Sequence, residues 1–362
     1  MKIVEIIPQL KQGGAERFVV DLCNEIAQTN EVILLIFYKD NVSAFFSKEL
    51  SSSVRIVYLN KCHGIDFKLI LKVYKFLYIE KPDIVHTHLR GILYVGLACI
   101  LKTKIKYFHT IHSDASKEAG GILGKLCRKF FFHFGYIHPI TISEESQRSF
   151  KDFYGLPSTL IYNGRPVYVK QIDVSIVAQE LSDLKTNKNA KLIVNVARLS
   201  KEKNQVTLAY AIDELNRKGY SIELVIIGDI SDRSIVSEIE KLNSPYVHLL
   251  GVRSNPRDYM MAADAFCLTS NYEGMPITLI ECFSVGAIPL CTPVGGIKNM
   301  IRDGVNGLLA KSPIQSDLED LFFRFLSLNK TALDQIRYNS KESFYLFDMV
   351  ACAEKYVKIF ND

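Results

Sequence analysis

The chain of 362 residues has no hydrophobic run long enough to span a bilayer. The longest apolar run, from Ile92 to Leu101, is about half of the roughly 20 residues that a membrane-spanning helix requires. The N-terminus carries Lys2 and Glu5 within its apolar stretch and lacks a small-residue cleavage site, which favours a first β-strand over a signal peptide. We therefore expect a cytoplasmic protein with no membrane-spanning segment.

The sequence also has no C-x-x-C pair, sequence repeat or low-complexity tract. Its cysteines are dispersed, mostly among apolar neighbours, which is typical of reduced core thiols and argues against disulfides or a zinc site. They are Cys23, Cys62, Cys99, Cys127, Cys267, Cys282, Cys291 and Cys352.

The net charge of +5 is unevenly distributed along the chain. Residues 1–165 hold 22 Lys and Arg against 15 Asp and Glu, whereas residues 166–362 hold 22 against 24. A basic N-terminal half can attract an anionic ligand or surface, although solubility alone also explains a modest excess.

Short β-like runs alternate with segments of helical spacing along almost the whole chain, which is typical of βαβ units and a parallel sheet. The pattern restarts at Lys191, after a turn-like segment that we interpret as a linker over 163–170. We expect an α/β protein with two facing Rossmann-like domains, over 1–165 and 166–340, and a helical tail over 341–362. Ligands of such domains bind after the strands, in a cleft.

The most specific segment begins at Ser270, where a predicted strand runs into a turn and then a helix. Glu273 lies in the turn and Pro276 suits the first helical turn. Unpaired amides at the helix start, near Gly274, Met275 and Ile277, would favour a phosphate. Glu281, one turn into the helix, could accept hydrogen bonds from ribose hydroxyls. Alone, two acids eight residues apart also fit an ordinary helix start.

The wider pattern resembles the retaining glycosyltransferases of the large family four, which have the GT-B fold. The resemblance rests on EGMPITLIE at Glu273, GAIPLCTPVGG at Gly286 and DGVNG at Asp303. Further matching segments cover nearly the whole chain: GGAER at Gly13, DIVHTH at Asp83, HTIHSD at His109, TISEES at Thr141, YNG at Tyr162 and NVARLSKEKN at Asn195.

The resemblance implies roles for charged residues on both halves. Arg198 and Lys203 would hold the donor diphosphate and stabilise the leaving group, Glu281 would hold the ribose, and Glu273 and His112 would lie near the hexose. Without the resemblance, an Arg and a Lys five residues apart would be interpreted as a solvated helix start, and a lone histidine as structural.

Other residues of the N-terminal half have weaker signals. Gly13 and Gly14 follow the first strand, where the missing side chains let the backbone approach a ligand. His86 and His88 share one face of their strand, and either is a candidate for lining the site. His109 should point to the opposite face from His112 and pack inside the domain.

Two departures from the family pattern concern the donor site: Asn204 follows Lys203 where many members have Gly, and Asn299 replaces an acid after the Gly-Gly pair. There is no Asp-x-Asp, the usual metal-chelating motif of the other large glycosyltransferase fold. With Arg198 and Lys203 as the positive charges, we expect metal-independent transfer without a cofactor.

The segment from Ile122 to Pro139 mixes Lys125, Arg128 and Lys129 with five aromatic residues. Such a helix can lie on an anionic membrane surface. The alternative is a packed helix of the N-terminal domain with a charged outer face.

The function implied by the resemblance is transfer of a hexose or N-acetylhexosamine from a nucleotide sugar, expected to be a UDP-sugar, with retention of configuration. The expected acceptor is a glycan on a polyprenyl diphosphate, as in capsule, exopolysaccharide or O-antigen assembly, bound by the N-terminal domain. The family also predicts that the helical tail packs on that domain. A UDP-sugar epimerase of the same fold and an inactive nucleotide-sugar binding module remain alternatives, and no nucleic acid partner is expected.

Overall fold

The computed structural model describes residues 1–38, 44–61, 66–101, 104–169 and 174–362. These residues form two compact units, one of Met1–Pro166 with Phe347–Asp362 and one of Val167–Leu346. Each unit is built around one parallel sheet. Cys62 and Lys170, the last residue of the predicted linker, lie outside the described residues.

The sheet of the first unit has seven strands. They are β1 (Lys2–Ile7), β2 (Glu31–Ile36), β3 (Val54–Tyr58), β4 (Ile84–His88), β5 (Lys106–Ile111), β6 (His138–Thr141) and β7 (Thr159–Leu160). Their order is β3-β2-β1-β4-β5-β6-β7, with parallel pairing throughout. The central strands are buried on both faces, which explains their continuous Ile, Val and Leu runs.

The helices of the first unit connect these strands. They are α1 (Gly14–Ile26), α2 (Ala44–Ser47), α3 (Phe67–Glu80), α4 (Gly96–Ile100), α5 (Ala115–Glu118), α6 (Ile122–His133) and α7 (Glu144–Tyr154). A 3-10 helix, Leu89–Tyr94, follows β4 directly.

The sheet of the second unit has six strands in the order β10-β9-β8-β11-β12-β13, all parallel. They are β8 (Lys191–Val196), β9 (Ile222–Ile227), β10 (Val247–Gly251), β11 (Ala265–Leu268), β12 (Pro289–Cys291) and β13 (Leu308–Leu309). Its helices are α8 (Val174–Asp183), α9 (Gln205–Arg217), α10 (Arg233–Lys241), α11 (Pro256–Ala262), α12 (Ile277–Val285), α13 (Ile297–Met300), α14 (Gln315–Leu326) and α15 (Lys330–Ser343).

Two of the four edge strands, β7 and β13, were not predicted from the sequence. Each has only two residues, so no alternation of apolar and polar residues can develop. The other eleven strands all lie in the short β-like runs from which strands were predicted.

The predicted helical tail over 341–362 is not one helix. Lys341–Ser343 completes α15, a 3-10 turn covers Phe344–Phe347, and α16 (Met349–Asn361) begins a new helix. The Asp348 side chain caps α16 by accepting a hydrogen bond from the Ala351 N–H. The apolar spacing runs through both helices, so periodicity alone did not show the break.

Both sheets have a switch point where the strand order reverses, between β1 and β4 in the first unit and between β8 and β11 in the second. In parallel sheets, loops leave such a point in opposite directions and open a crevice at the carboxyl ends of the strands. The seven described cysteines are unpaired thiols, six of them buried. They contribute to the cores and leave the crevices to other residues.

Candidate functional site

The crevice of the second unit is bordered by residues that follow β8. Arg198 is exposed just after this strand, and Lys203 ends a short 3-10 helix, Lys201–Lys203. Asn204 then adopts a left-handed conformation with φ of 60° before α9 begins. Gly and Asn are the residues that tolerate this conformation best, so the Asn in place of the family's Gly preserves the turn.

Across the switch point, Glu273 follows β11 and lies in the same crevice as Lys203. The Lys203 Nζ is 2.6 Å from Glu273 Oε1, and the Ser270 hydroxyl donates to the same oxygen at 2.6 Å. The Glu273 Oε2 atom has no hydrogen-bond partner among the described residues. The carboxylate is thus fixed through one oxygen, and the other is available to a ligand hydroxyl.

The helix α12 begins beside this pair. Pro276 has extended backbone angles and is the N-cap of α12 rather than a residue of its first turn, so that interpretation of Pro276 is corrected. It lacks an N–H, and the amides of Leu279 and Ile280 both donate to its carbonyl. The free amides of the helix start are therefore those at Ile277 and Thr278.

Two further predicted residues have buried side chains. Glu281 lies in α12 and is 6% exposed, and Met275 precedes the helix and is 5% exposed. Because the Met275 side chain is buried and Gly274 has none, these two residues can contribute to a ligand site only through their backbone.

The Gly-Gly pair of the motif supports the Glu273 turn. Gly295 has a φ of 50°, and a Cβ atom there would lie 1.7 Å from the Glu273 carbonyl oxygen. The Gly296 N–H donates to the Gly274 carbonyl at 2.8 Å. Only a residue without a side chain allows this approach at position 295, and the two motif segments form one element.

In the first unit, His112 follows β5 and is held on two sides. Its backbone N–H donates to Glu118 Oε2 at 2.9 Å, and its Nε2 lies 2.9 Å from His88 Nδ1. Burial lowers the pKa of His112 well below its ordinary value of 6.5. The ring is therefore neutral at physiological pH, and its backbone amide is already occupied.

His109 is fully buried, as its position on the opposite face predicted. Its Nδ1 lies 3.0 Å from the Thr87 carbonyl, and its Nε2 lies 3.0 Å from Arg128 Nη1. Burial lowers the pKa of His109 to about 4. Burial by itself raises the pKa of Glu118, but His109 and Arg128 lower it to about 2. This cluster supports the loop that carries His112.

Glu5 and the two histidines of β4 were not predicted as a unit, although a Glu within an apolar strand is a signal for one. Glu5, His86 and His88 are fully buried, with potential metal-binding atoms within 4.8 Å of one another. Each ring also hydrogen-bonds the Glu5 carboxylate. Among the described residues, this is the one group of three that could hold a metal ion, and hydrogen bonding explains it without one.

Gly13 and Gly14 form the start of α1. Gly13 is the N-cap, and a Cβ atom there would lie 2.3 Å from Glu16 Oε2. The helix start follows β1 at the switch point of the first sheet, so its amides lie at the crevice of this unit. Gly13, Gly14, His86, His88 and His112 belong to the first unit, and the predicted donor-site residues from Arg198 to Glu281 belong to the second.

One basic residue of α6, Arg128, does not lie where either interpretation of the sequence placed it. Arg128 is buried and donates to the Leu89 carbonyl at 3.1 Å, so it is no part of a basic outer face. The exposed face is mainly apolar, with Lys129 beside it. Its apolar residues are Ile122, Leu123, Leu126 and Phe130, exposed by 80%, 80%, 59% and 43%. No helix among the described residues is long and apolar enough to cross a membrane.

The chain matches known families and structures over nearly its full length. Residues 177–342 match the family model described as Glycosyl transferases group 1, and residues 12–167 match Glycosyltransferase Family 4. The crystal structure of Anabaena Alr3699/HepE in complex with UDP superposes with a TM-score of 0.84 over 100% of both chains at 20% identity. WaaG, a glycosyltransferase involved in lipopolysaccharide biosynthesis, gives 0.73 over 99% of both at 15% identity.

Two bacterial enzymes are similar in sequence. The UDP-Gal:alpha-D-GlcNAc-diphosphoundecaprenol alpha-1,3-galactosyltransferase of Escherichia coli is 26% identical over 75% of this chain and 72% of its own. A Campylobacter jejuni alpha-1,4-N-acetyl-D-galactosaminyltransferase, which acts on a GalNAc- and diNAcBac-containing PP-undecaprenol glycan, is 27% identical over 85% of this chain and 84% of its own.

Two parallel-sheet α/β units with charged residues after their strands, together with these matches, define a glycosyltransferase of the GT-B fold. The chain is a group 1/family 4 glycosyltransferase, which the two family models show together, one in each half of the chain. The predictions of fold class and family are confirmed.

Proposed function

We propose that this enzyme transfers a hexose or N-acetylhexosamine from a UDP-sugar to a glycan on a polyprenyl diphosphate, with retention of configuration. The observation that carries the proposal is the arrangement of Lys203, Glu273 and the start of α12 around one switch point. It combines a cation, a carboxylate with one unoccupied oxygen and unpaired amides, which suit a nucleotide diphosphate joined to a sugar.

The donor would bind to the second unit. Arg198 and Lys203 would contact the diphosphate together with the amides of Gly274, Met275 and Ile277. Glu281 would accept from the ribose hydroxyls, and Glu273 would accept from a hexose hydroxyl. UDP in the Anabaena structure supports this nucleotide, and the Escherichia coli relative is described with UDP-Gal.

The transfer step would be a front-face displacement. The bond between the anomeric carbon and the phosphate oxygen breaks as the bond to the acceptor oxygen forms on the same face. The acceptor proton passes to the leaving phosphate, so no covalent sugar intermediate on the enzyme is required. Arg198 and Lys203 would stabilise the negative charge that develops on UDP, without a metal ion.

The acceptor would bind to the first unit. A cavity of about 510 Å³ lies at the carboxyl ends of its strands. Lys11, Arg90 and Lys117 line it together with neutral residues and Glu118. Three cations there suit a diphosphate, the group that the two bacterial relatives' acceptors share.

We further propose that the enzyme is cytoplasmic and attaches peripherally to the membrane through α6, in capsule, exopolysaccharide or O-antigen assembly. The exposed apolar face of α6 beside Lys129 suits insertion among anionic lipid headgroups. This placement would bring the enzyme to an acceptor anchored by a polyprenyl chain.

The test is transfer from labelled UDP-galactose, UDP-N-acetylgalactosamine and UDP-N-acetylglucosamine to a detergent-solubilised undecaprenyl-diphosphate N-acetylhexosamine. We expect a product heavier by one sugar residue, with an α-linkage by NMR from an α-linked donor and activity that persists in EDTA. A β-linked product would overturn retention, and loss of activity in EDTA would overturn metal independence. Conversion of one UDP-sugar into another without acceptor would instead indicate an epimerase.

A further inference from the structure

A chain of buried polar side chains leads from the middle of β1 to His112. Glu5 is paired with His86 in the register of β1 and β4, and both side chains are fully buried. His88 Nε2 lies 2.9 Å from Glu5 Oε2, and His88 Nδ1 lies 2.9 Å from His112 Nε2. The sequence of contacts is therefore Glu5, His88, His112.

The direction of each hydrogen bond follows from the carboxylate. An ionised carboxylate only accepts hydrogen bonds, so His88 Nε2 must carry a proton and donate it to Glu5. In a neutral ring, His88 Nδ1 then has only a lone pair. His112 Nε2 must therefore carry a proton and donate to His88, and His112 Nδ1 is left with a lone pair.

The protonation states fit this direction. Burial by itself raises the pKa of Glu5, but the contacts with His86 and His88 lower it to about 2. Burial lowers the pKa of His88 to about 4. At neutral pH the carboxylate is charged and the His88 ring is neutral.

We propose that Glu5 and His88 are positioning residues that hold His112 in its Nε2–H tautomer, so that Nδ1 accepts a hydrogen bond from a hydroxyl of the donor sugar. This inference rests on the proposed function and on the position near the hexose that the family resemblance implies for His112. It adds Glu5 and His88 to the proposed site. It also specifies that the His112 nitrogen that contacts the sugar is Nδ1, and that this nitrogen accepts the hydrogen bond.

Contacts with neighbouring residues leave Nδ1 as the polar atom of the His112 ring that a ligand can reach. The backbone N–H is taken by Glu118, and Nδ1 has no partner among the described residues. Phe18 of α1 packs edge-on against the rings of His88 and His112, with centroids 6.4 and 5.8 Å away. A ring fixed on these sides has little freedom to rotate and exchange its nitrogens.

The tautomer matters because a sugar hydroxyl can donate to a lone pair or accept from an N–H, and the two arrangements orient it differently. A ring in the wrong tautomer would present an N–H to the hydroxyl hydrogen. A preorganised acceptor needs no rearrangement when the transition state forms. The expected effect of losing it is therefore on kcat more than on donor binding.

His86 supplies a matched control. It is as buried as His88, lies on the same strand and donates to the same carboxylate. Its other nitrogen contacts Thr110 Oγ1 at 2.8 Å, and this hydroxyl contacts Tyr356 rather than His112. His86→Leu and His88→Leu each remove one donor to Glu5, but only His88→Leu removes the acceptor for His112.

The experiment records ¹⁵N NMR spectra of the full-length, histidine-labelled enzyme without substrate, with His112→Gln to assign the signal. We expect His112 as the Nε2–H tautomer in the native enzyme and in His86→Leu, and a loss of that preference in His88→Leu. With UDP-sugar and acceptor, kcat should fall about tenfold or more in His88→Leu relative to His86→Leu, with donor KM within about twofold, the cost of about one hydrogen bond.

If the NMR spectra show His112 of the native enzyme in the Nδ1–H tautomer, the inference is overturned, whatever the activity of the variants. So would a stoichiometric metal ion in the purified protein, because a metal would displace the protons from the Glu5 cluster. If His88→Leu does not fold, Glu5→Gln replaces it: the amide keeps the shape but no longer requires two donors, so a mixed His112 tautomer is expected. Full activity of His112→Gln with the predicted native tautomer would instead refute the proposed role of His112 at the sugar.

Discussion

Lys203 and Glu273 form an ion pair of 2.6 Å that connects the loop after β8 to the turn after β11. The two residues are 70 positions apart, and Glu273 is 7% exposed. The pair joins the residue proposed to bind the diphosphate, Lys203, to the residue proposed to bind the sugar, Glu273. A change in one residue therefore alters the environment of the other.

The first prediction concerns donor binding. Lys203→Met should abolish most of the rise in melting temperature that UDP produces, because the ammonium is one of the two charges proposed to bind the diphosphate. Lys201→Met is the control, since Lys201 is exposed in the same 3-10 helix and has no proposed ligand contact. Thermal shift at several UDP concentrations measures the effect, and an equal loss in both variants would show only a general effect of charge.

The second prediction separates stability from binding in the same pair. Lys203→Met and Glu273→Gln should each lower the free energy of unfolding by about 1–3 kcal/mol, because each leaves a partly buried partner without its ion pair. The double variant should lose less than the sum, with a coupling of about 1 kcal/mol. Urea unfolding of the native protein, the two single variants and the double variant measures this coupling. Additive losses would contradict an energetic interaction between Lys203 and Glu273.

Glu273→Gln should also lower kcat about 100-fold, since the amide replaces the negative charge at the proposed position of the reacting sugar. Donor KM should change much less, because the proposed diphosphate and ribose contacts remain. Steady-state kinetics with varied UDP-sugar measures both constants. A pure KM effect would assign Glu273 to binding alone.

The third prediction tests the element formed by the two motif segments. Gly295→Ala should lower the free energy of unfolding by more than about 3 kcal/mol, because the methyl group meets the Glu273 backbone. Gly304→Ala is the matched control: its φ of 73° is also left-handed, but nothing lies within 4 Å of a Cβ. It should cost about 1 kcal/mol of backbone strain alone. Similar costs for both would contradict the close approach.

The fourth prediction concerns pH. His88 has its pKa lowered from 6.5 to about 4 by burial, so the unfolded chain takes up a proton in this range that the native state does not. The free energy of unfolding should therefore fall as pH decreases from 6.5 to 4, by up to about 1.4 kcal/mol per unit from this residue. Urea unfolding at several pH values measures the slope. His88→Gln should reduce it, and an unchanged slope would contradict the prediction.

The fifth prediction tests membrane attachment. Leu123→Ser with Leu126→Ser should reduce binding to vesicles that contain anionic lipid, because the exposed apolar face of α6 is lost. Ile176→Ser with Ile314→Ser removes two residues of comparable exposure, 64% and 58%, from the second unit. Vesicle sedimentation compares the two pairs, and equal binding would refute attachment through α6.

Much of the fold was predictable because its signals are local. Continuous apolar strands such as β1 and β9 alternate with amphipathic helices, and this pattern identifies parallel α/β structure without reference to distant residues. The break before α16 was missed, since it depends on a capping contact of Asp348 and on the passage of the chain from one unit to the other.

The sequence by itself determined the class of the protein, because the motif around Glu273 and Glu281 and the residues after each strand occur at characteristic spacings. Only the tertiary structure decided which of these groups meet: Lys203 with Glu273, Gly295 with the Glu273 backbone, and Glu5 with His88. Such contacts join segments 22 to 83 residues apart, and side-chain direction within a folded sheet sets them. Arg128 shows the same limit, since a basic residue expected at the surface is buried where His109 and Glu118 receive its hydrogen bonds.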